Sequence, residues 1–170
     1  MIFDAAAKKV HISVEELCHT VVNHASIDTR GARLYPDKGK VAEWLTGKHG
    51  LAYTEDVSLS RTVSRGGLFY EVSGVCDGVL REGGKVFACV NRCIGDFTSR
   101  ITSDMAAESI GHAVAYAYML AESEMLGSIG FRVTFYHNQN DIKTIEKSYT
   151  RAEMAAAFMR LLDLHRPFAA

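Results

Sequence analysis

The sequence predicts a single α/β domain over residues 1–170, with a central mixed β-sheet flanked by helices. Three observations predict it. Apolar side chains switch along the chain between a helical period and a period of two, in the order α, α, β, β, β, α, β, β, α. Two capping boxes, at the first and the last predicted helix, mark where the helical periodicity begins. No repeat, low-complexity run or change of composition divides the 170 residues, a length that suits one core.

The first helix opens on Ser-Val-Glu-Glu, with Ser13 as N-cap and Glu16 reaching back to it. Val14, Leu17, Cys18, Val21 and Val22 then follow helical spacing. A polar, irregular segment over residues 24–39 is punctuated by Pro36 and Gly39. The short helix after it sets Val41, Trp44 and Leu45 on one side. Three strands come next, YTEDVSLSRTV, LFYEVSGVCDGVL and KVFACVNRC, the last two joined by the turn Arg-Glu-Gly-Gly. A long helix over residues 103–126 buries Ala106, Ile110, Ala113, Val114, Ala117 and Ala121, and Gly127 is its predicted stop. FRVTFYHN alternates as a strand with Phe131, Val133 and Phe135 on one face, and the more polar DIKTIEKSY reads as an edge strand. The second capping box, Thr150 with Glu153, starts a last helix whose stripe is Met154, Ala157, Phe158, Leu161 and Leu162.

Hydrophobic residues make up 48% and charged residues 23%, with a net charge of -1. That lacks the basic surplus of a typical nucleic-acid binder, although net charge does not describe its distribution. None of Cys18, Cys76, Cys89 and Cys93 forms a Cys-x-x-Cys pair, so they read as small buried apolar residues rather than metal ligands. The first residues hold no apolar stretch of the secretory kind, and no run approaches the roughly 20 apolar residues of a membrane span. The expectation is a cytoplasmic protein with reduced thiols and no membrane partner.

Several polar residues break the pattern. By strict alternation Tyr53, Glu55, Val57 and Leu59 share a face, which sets the Glu55 carboxylate among apolar neighbours. Such a group calls for a metal, a cation or several donors, unless an Arg or Lys pairs with it or the register slips by one. Three residues separate Asp77 from the obvious turn, so it lies inside its strand. Arg92 emerges from an apolar run and calls for an acid or a phosphate, unless it simply stands at a surface strand end. His112 and Tyr116 sit one turn apart on one face of the long helix, where rim-of-core positions explain them as well.

Taken together in this order, ISVEELCHTVVN, GKVAEW, YTEDVSLS, VSGVCDGVLREGGKV, HAVAY and SYTRAEMAAAFMRLL resemble the PD-(D/E)XK nuclease superfamily, its RecB-like branch in particular. The resemblance covers most of the chain and implies a restriction-endonuclease-like core. It further implies an active site in which an aspartate and the glutamate of a Glu-x-Lys pair hold Mg²⁺ or Mn²⁺, and the metal activates water against a phosphodiester. Carried over by position, Asp77 matches the metal aspartate and Glu55 the upstream acid. Val90 stands where the second metal acid belongs, and valine ligates nothing. Arg92 replaces the lysine, keeping the charge but unable to lose a proton at accessible pH. Glu43 falls near the family's histidine, His112 replaces a glutamine, and Tyr116 is kept.

Three functions follow as expectations. The first is a nuclease fold with a degraded metal site, acting by binding a protein partner or nucleic acid in DNA processing or defence. The second is an active Mg²⁺- or Mn²⁺-dependent DNA nuclease that uses Glu55, Asp77 and a substitute acid such as Asp96, with Arg92 on the phosphate. The third is a structural or assembly subunit that uses another surface. In the first case Arg92 neutralises Asp77 and Glu55 directly, turning a metal site into an ion-pair cluster.

Overall fold

The computed structural model describes residues 1–24, 34–35 and 39–169. Its strands are β1 (Ile2–Asp4), β2 (Lys9–Ser13), β3 (Leu34–Tyr35), β4 (Tyr53–Arg65), β5 (Leu68–Glu82), β6 (Lys85–Ile94), β7 (Ser128–Asn138) and β8 (Asp141–Thr150). The helices are α1 (Val14–His24), α2 (Gly39–His49), α3 (Ser103–Glu124) and α4 (Arg151–His165). The predicted fold class is what is seen: one α/β domain with a mixed sheet of eight strands and helices on both faces. The irregular segment expected over residues 24–39 lies for the most part outside the described residues. Among the described residues no helix is long and apolar enough to cross a membrane.

The long strand β5 organises the sheet. Along one side it pairs with β4, antiparallel, between Leu68 and Leu80. Along the other it pairs first with β2, in parallel over Phe69–Ser73, and then with β6, antiparallel over Gly78–Glu82. From β6 the sheet continues through a parallel β7 to β8. Helices α1, α3 and α4 pack on one face around Val10, Val72, Ala88, Val90, Phe131, Met154 and Phe158. Helix α2 covers part of the other face, over Leu80, Phe87, Cys89 and Tyr136. From Gly111 to Ala121, α3 is buried on every side, which its run of alanines permits.

Both capping boxes form. The Ser13 hydroxyl accepts from Glu16 N–H at 3.0 Å, and Thr150 accepts from Glu153 N–H at 3.1 Å while Glu153 accepts from Thr150 N–H at 2.9 Å. Helix α3 stops earlier than Gly127 would place it. Met125 takes a left-handed φ of 54°, and Leu126 N–H closes back on Ala121 C=O at 2.9 Å, a closure usually made with glycine. Two strands that the periodicity did not reveal, β1 and β2, open the chain. Each is too short for an alternation count, and β2 offers only Val10 and Ile12 as its buried pair.

Before Asp77, the even-numbered side chains Tyr70, Val72 and Cys76 of β5 face α1, α3 and α4; after it, odd-numbered Val79 does so and Leu80 faces α2. Strand β4 changes in step. Val57, Leu59 and Val63 face the three helices, but Tyr53 lies in the cluster under α2. The change occurs at Asp56, whose φ is 52°, with no residue inserted, since Glu55 opposes Gly78 and Val57 opposes Cys76. Strict alternation across residues 53–59 therefore fails. Glu55 is not among apolar side chains; it is exposed and accepts a hydrogen bond from Thr46 of α2 at 3.1 Å.

Candidate functional site

Asp77 occupies the point where β5 has left β2 and not yet met β6. Its pairing with β6 begins only at Gly78, opposite Cys89. Beyond that pair, β6 lacks a backbone acceptor from β5, and the Asp77 carboxylate supplies one: Oδ2 accepts from Asn91 N–H at 2.8 Å. A carboxylate here thus completes a ladder that the strand geometry leaves open.

The same oxygen receives Arg92. The guanidinium Nη1 donates to Asp77 Oδ2 at 3.2 Å and to the Asn91 carbonyl at 3.0 Å. Its Nη2 lies 3.0 Å from His112 Nδ1. Arginine only donates, so His112 accepts at Nδ1 and, when neutral, carries its proton on Nε2. That nitrogen faces the Glu108 carboxylate at 4.0 Å, and Glu108 in turn lies 3.6 Å from His19 Nδ1. A polar chain thus runs from buried Asp77 through Arg92, His112 and Glu108 to an exposed histidine on α1. The Asp77 and Arg92 side chains are only 8% and 13% exposed. At such burial each charge depends on the other, because an unpaired one would keep its desolvation cost with nothing to offset it.

Two tyrosines approach Asp77 from opposite faces, each over a glycine of β5. Tyr116 of α3 lies so close to Gly74 that a Cβ there would sit 2.6 Å from its hydroxyl oxygen. Tyr53 lies over Gly78, where a Cβ would fall 2.1 Å from its hydroxyl oxygen. Glycines four apart would share a face in a regular strand; here they serve opposite faces, which is the change of phase seen in the core. The Tyr53 hydroxyl accepts from Asn91 Nδ2 at 2.7 Å and donates to the Asp77 carbonyl at 3.5 Å. Burial above all pushes both phenols well above their ordinary pKa, with the Asp77 charge adding to it, so each remains a protonated hydroxyl.

On the solvent side of Asp77 lies a cleft of about 390 Å³, lined by Ser13, Glu15, Asp56, Asp77 and Tyr116 among others. It lies at the start of α1, where β5 has left β2 and not yet met β6. Three of its lining side chains are acids.

The structure therefore brings Asp77, Arg92, His112 and Tyr116 together. It does not bring Glu55, which stands on the α2 side of the sheet. Its neighbour Asp56 lies in the cleft instead, a shift of one residue caused by the left-handed backbone at that position. Glu43 is exposed beside Trp44 in a different cavity under α2. Asp96 turns away to Arg100, at 3.1 Å, and to Phe97 N–H, at 2.7 Å. Glu71 pairs with Lys9 at 2.9 Å, on the far half of β5. Val90 is wholly buried in the core between the sheet and the three helices. Sequence reasoning missed Glu15, Asp56, Asn91 and Tyr53. The adjacent acids at 55 and 56 were the available signal for Asp56, since a one-residue change of phase exchanges them.

The residues do not fit a resident divalent ion. Asp77 Oδ2 already accepts from a backbone amide and a guanidinium, and the position two before Arg92 is apolar and sealed. Among the described residues no three His, Cys, Asp or Glu side chains converge closely enough to hold a metal. Of the four cysteines, Cys18, Cys76 and Cys89 are buried, Cys93 is half-buried, and none is paired in a disulfide. Burial is the chief cause that pushes the Cys89 thiol up to about 12.

No family model matches the chain. No curated protein matches it either. Solved structures do match, among them the crystal structure of SSO0001, with a TM-score of 0.50 and 14% sequence identity over 90% of this chain and 73% of that one. At that identity the likeness concerns the fold alone.

Proposed function

We propose that this chain has a nuclease fold in which Arg92 stands in place of the metal ion, and that it works by binding a protein partner rather than by hydrolysing phosphodiesters. The single observation behind the proposal is the Asp77–Arg92 pair at 3.2 Å beside a wholly buried Val90. A cation is needed next to Asp77, and the guanidinium provides it from within the chain.

The charge of the cleft supports the choice of partner. Glu15, Asp56 and Asp77 line it, and Arg92 offsets one of them. In a metal-loaded site such acids attract phosphate through the ion; without an ion they repel it. A cationic side chain presented by a protein suits the cleft better than a nucleic-acid backbone does.

The test is incubation of the chain with single- and double-stranded DNA in Mg²⁺ and in Mn²⁺. The proposal expects no cleavage above that of an Asp77→Ala variant in either metal. Metal-dependent cleavage that disappears with Asp77→Ala would overturn it. One observation favours a second reading, an active nuclease: Asp56 and Glu15 share the cleft with Asp77 and could serve in place of the missing acid if Arg92 swung away. Cleavage lost with both Asp56→Asn and Asp77→Ala would establish that reading.

A further inference from the structure

The Arg92 guanidinium rests on acceptors of two kinds. Nη1 donates to Asp77 Oδ2 at 3.2 Å and to the Asn91 carbonyl at 3.0 Å, and Nη2 donates to His112 Nδ1 at 3.0 Å. Carboxylates and carbonyls are acceptors throughout the physiological range. An imidazole nitrogen accepts only while it carries no proton, and histidine is the side chain whose ordinary pKa, about 6.5, falls inside that range. A single proton on His112 therefore turns the contact with Nη2 from a hydrogen bond into an opposition of two cationic donors. Water does little to screen it, since the Arg92 side chain is 13% exposed and that of His112 9%. The pair cannot keep its present geometry once the ring is charged.

The surroundings provide for both forms of the ring. Arg92 of β6 serves the neutral ring at Nδ1. The charged ring is served on its other side, where Glu108, one turn earlier on α3, faces Nε2 at 4.0 Å. From α1, Glu15, Glu16 and His19 line the same cavity of about 330 Å³. Glu16 is engaged by the Ser13 hydroxyl at 3.2 Å, and His19 lies 3.6 Å from Glu108. Two neighbours do not titrate: burial above all holds the Cys18 thiol and the Tyr116 phenol well above their ordinary pKa values, so both stay protonated. With acids beside Nε2 and a guanidinium beside Nδ1, a proton draws the ring toward Glu108 and pushes Arg92 away. Arg92 is the longer side chain with more rotatable bonds, so it is the group that yields. We infer that His112 is a proton switch on Arg92: the neutral ring locks the guanidinium against Asp77, and the protonated ring, drawn to Glu108, releases Nη2. The cation beside Asp77 is held firmly while His112 is neutral and loosely once it is charged. The switch acts at the cleft of the proposed function, but neither metal, nucleic acid nor partner enters its test, so the two succeed or fail separately.

Side-chain nitrogen NMR of the isotope-labelled full chain, from about pH 8 to about pH 5, reads both groups, each assigned through its bonded carbons. At the alkaline end the His112 ring should carry its proton on Nε2 and none on Nδ1, and Arg92 should show separate Nη1 and Nη2 signals, as a locked guanidinium does. On acidification those two signals should broaden and merge with the midpoint of His112. His112→Gln keeps an amide oxygen that can accept from Arg92 but does not titrate. In that variant the Arg92 signals should stay separate over the whole range. A proton on Nδ1 at the alkaline end would overturn the inference. So would a His112 that stays neutral down to about pH 5, or Arg92 signals that remain separate after His112 has charged. These three are read on the wild type alone, and merging that persists in a folded His112→Gln would overturn it as well.

Discussion

Strand β5 is two strands in one. From Leu68 to Ser73 it is regular, pairs with β2 and β4, and alternates between core and solvent: Tyr70 and Val72 are buried, while Phe69 and Ser73 are exposed. From Gly78 to Leu80 it pairs with β6 and β4 and is buried on both faces, under the three helices and under α2. The halves also handle charge differently. The first holds Glu71 at the surface, paired with Lys9. The junction between them holds Asp77 in the interior, paired with Arg92. The difference teaches that the polar site is a product of the broken ladder. Where β5 changes partners, a backbone donor of β6 is orphaned, a side-chain acceptor has to replace the missing carbonyl, and the replacement carries a charge that must be met.

The largest effect should come from breaking the junction pair. Arg92→Met leaves Asp77 buried and unpaired and should cost about 3–5 kcal/mol in denaturant unfolding. Adding Asp77→Asn to it should return much of that loss, because the uncompensated charge is then gone. A smaller effect is expected from Gly78→Ala. The new Cβ meets the Tyr53 ring end at 2.1–2.4 Å, and forcing the ring aside should cost about 1–3 kcal/mol. Smaller again is a dependence on pH in the first half. His165 is fully buried at the end of α4, 6.0 Å from the Tyr70 ring and edge-on to it, and burial holds its pKa below the ordinary value. The folded state therefore favours the neutral ring. Its contribution to stability is complete above the unfolded pKa of about 6.5 and is lost as pH falls below that value toward the folded pKa. Unfolding midpoints measured from pH 7 to pH 5 should fall for the wild type and fall less for His165→Phe. At the far end of the scale, Lys9→Ala removes a partly exposed partner of Glu71, which keeps His11 at 3.3 Å, and should leave the midpoint unchanged within error.

Much of the fold was legible in the sequence, and for identifiable reasons. Each of the four helices has a periodic stripe, two of them have capping boxes, and Phe131, Val133 and Phe135 alternate without interruption. What failed to show was short or irregular. Strand β2 has too few residues for a period, and Met125 ends α3 in a conformation that the sequence assigns to Gly127. The site was legible in part. Asp77 and Arg92 stood out because polar groups at apolar positions need partners, His112 and Tyr116 only through the family resemblance, and the structure makes the four neighbours. Glu55 was misplaced because alternation assumes a strand of one phase, and a single left-handed residue at Asp56 reverses it. Asn91 and Tyr53 bond across two strands, a pairing that local spacing does not encode.

We propose that Arg92 takes the place of a metal ion beside Asp77. Isothermal titration of the wild-type chain with Mn²⁺ tests it most directly, with Asp77→Asn as the reference. No saturable heat beyond that of the reference is expected, because the guanidinium already neutralises the carboxylate. Stoichiometric Mn²⁺ binding in the wild type that vanishes in Asp77→Asn would contradict it.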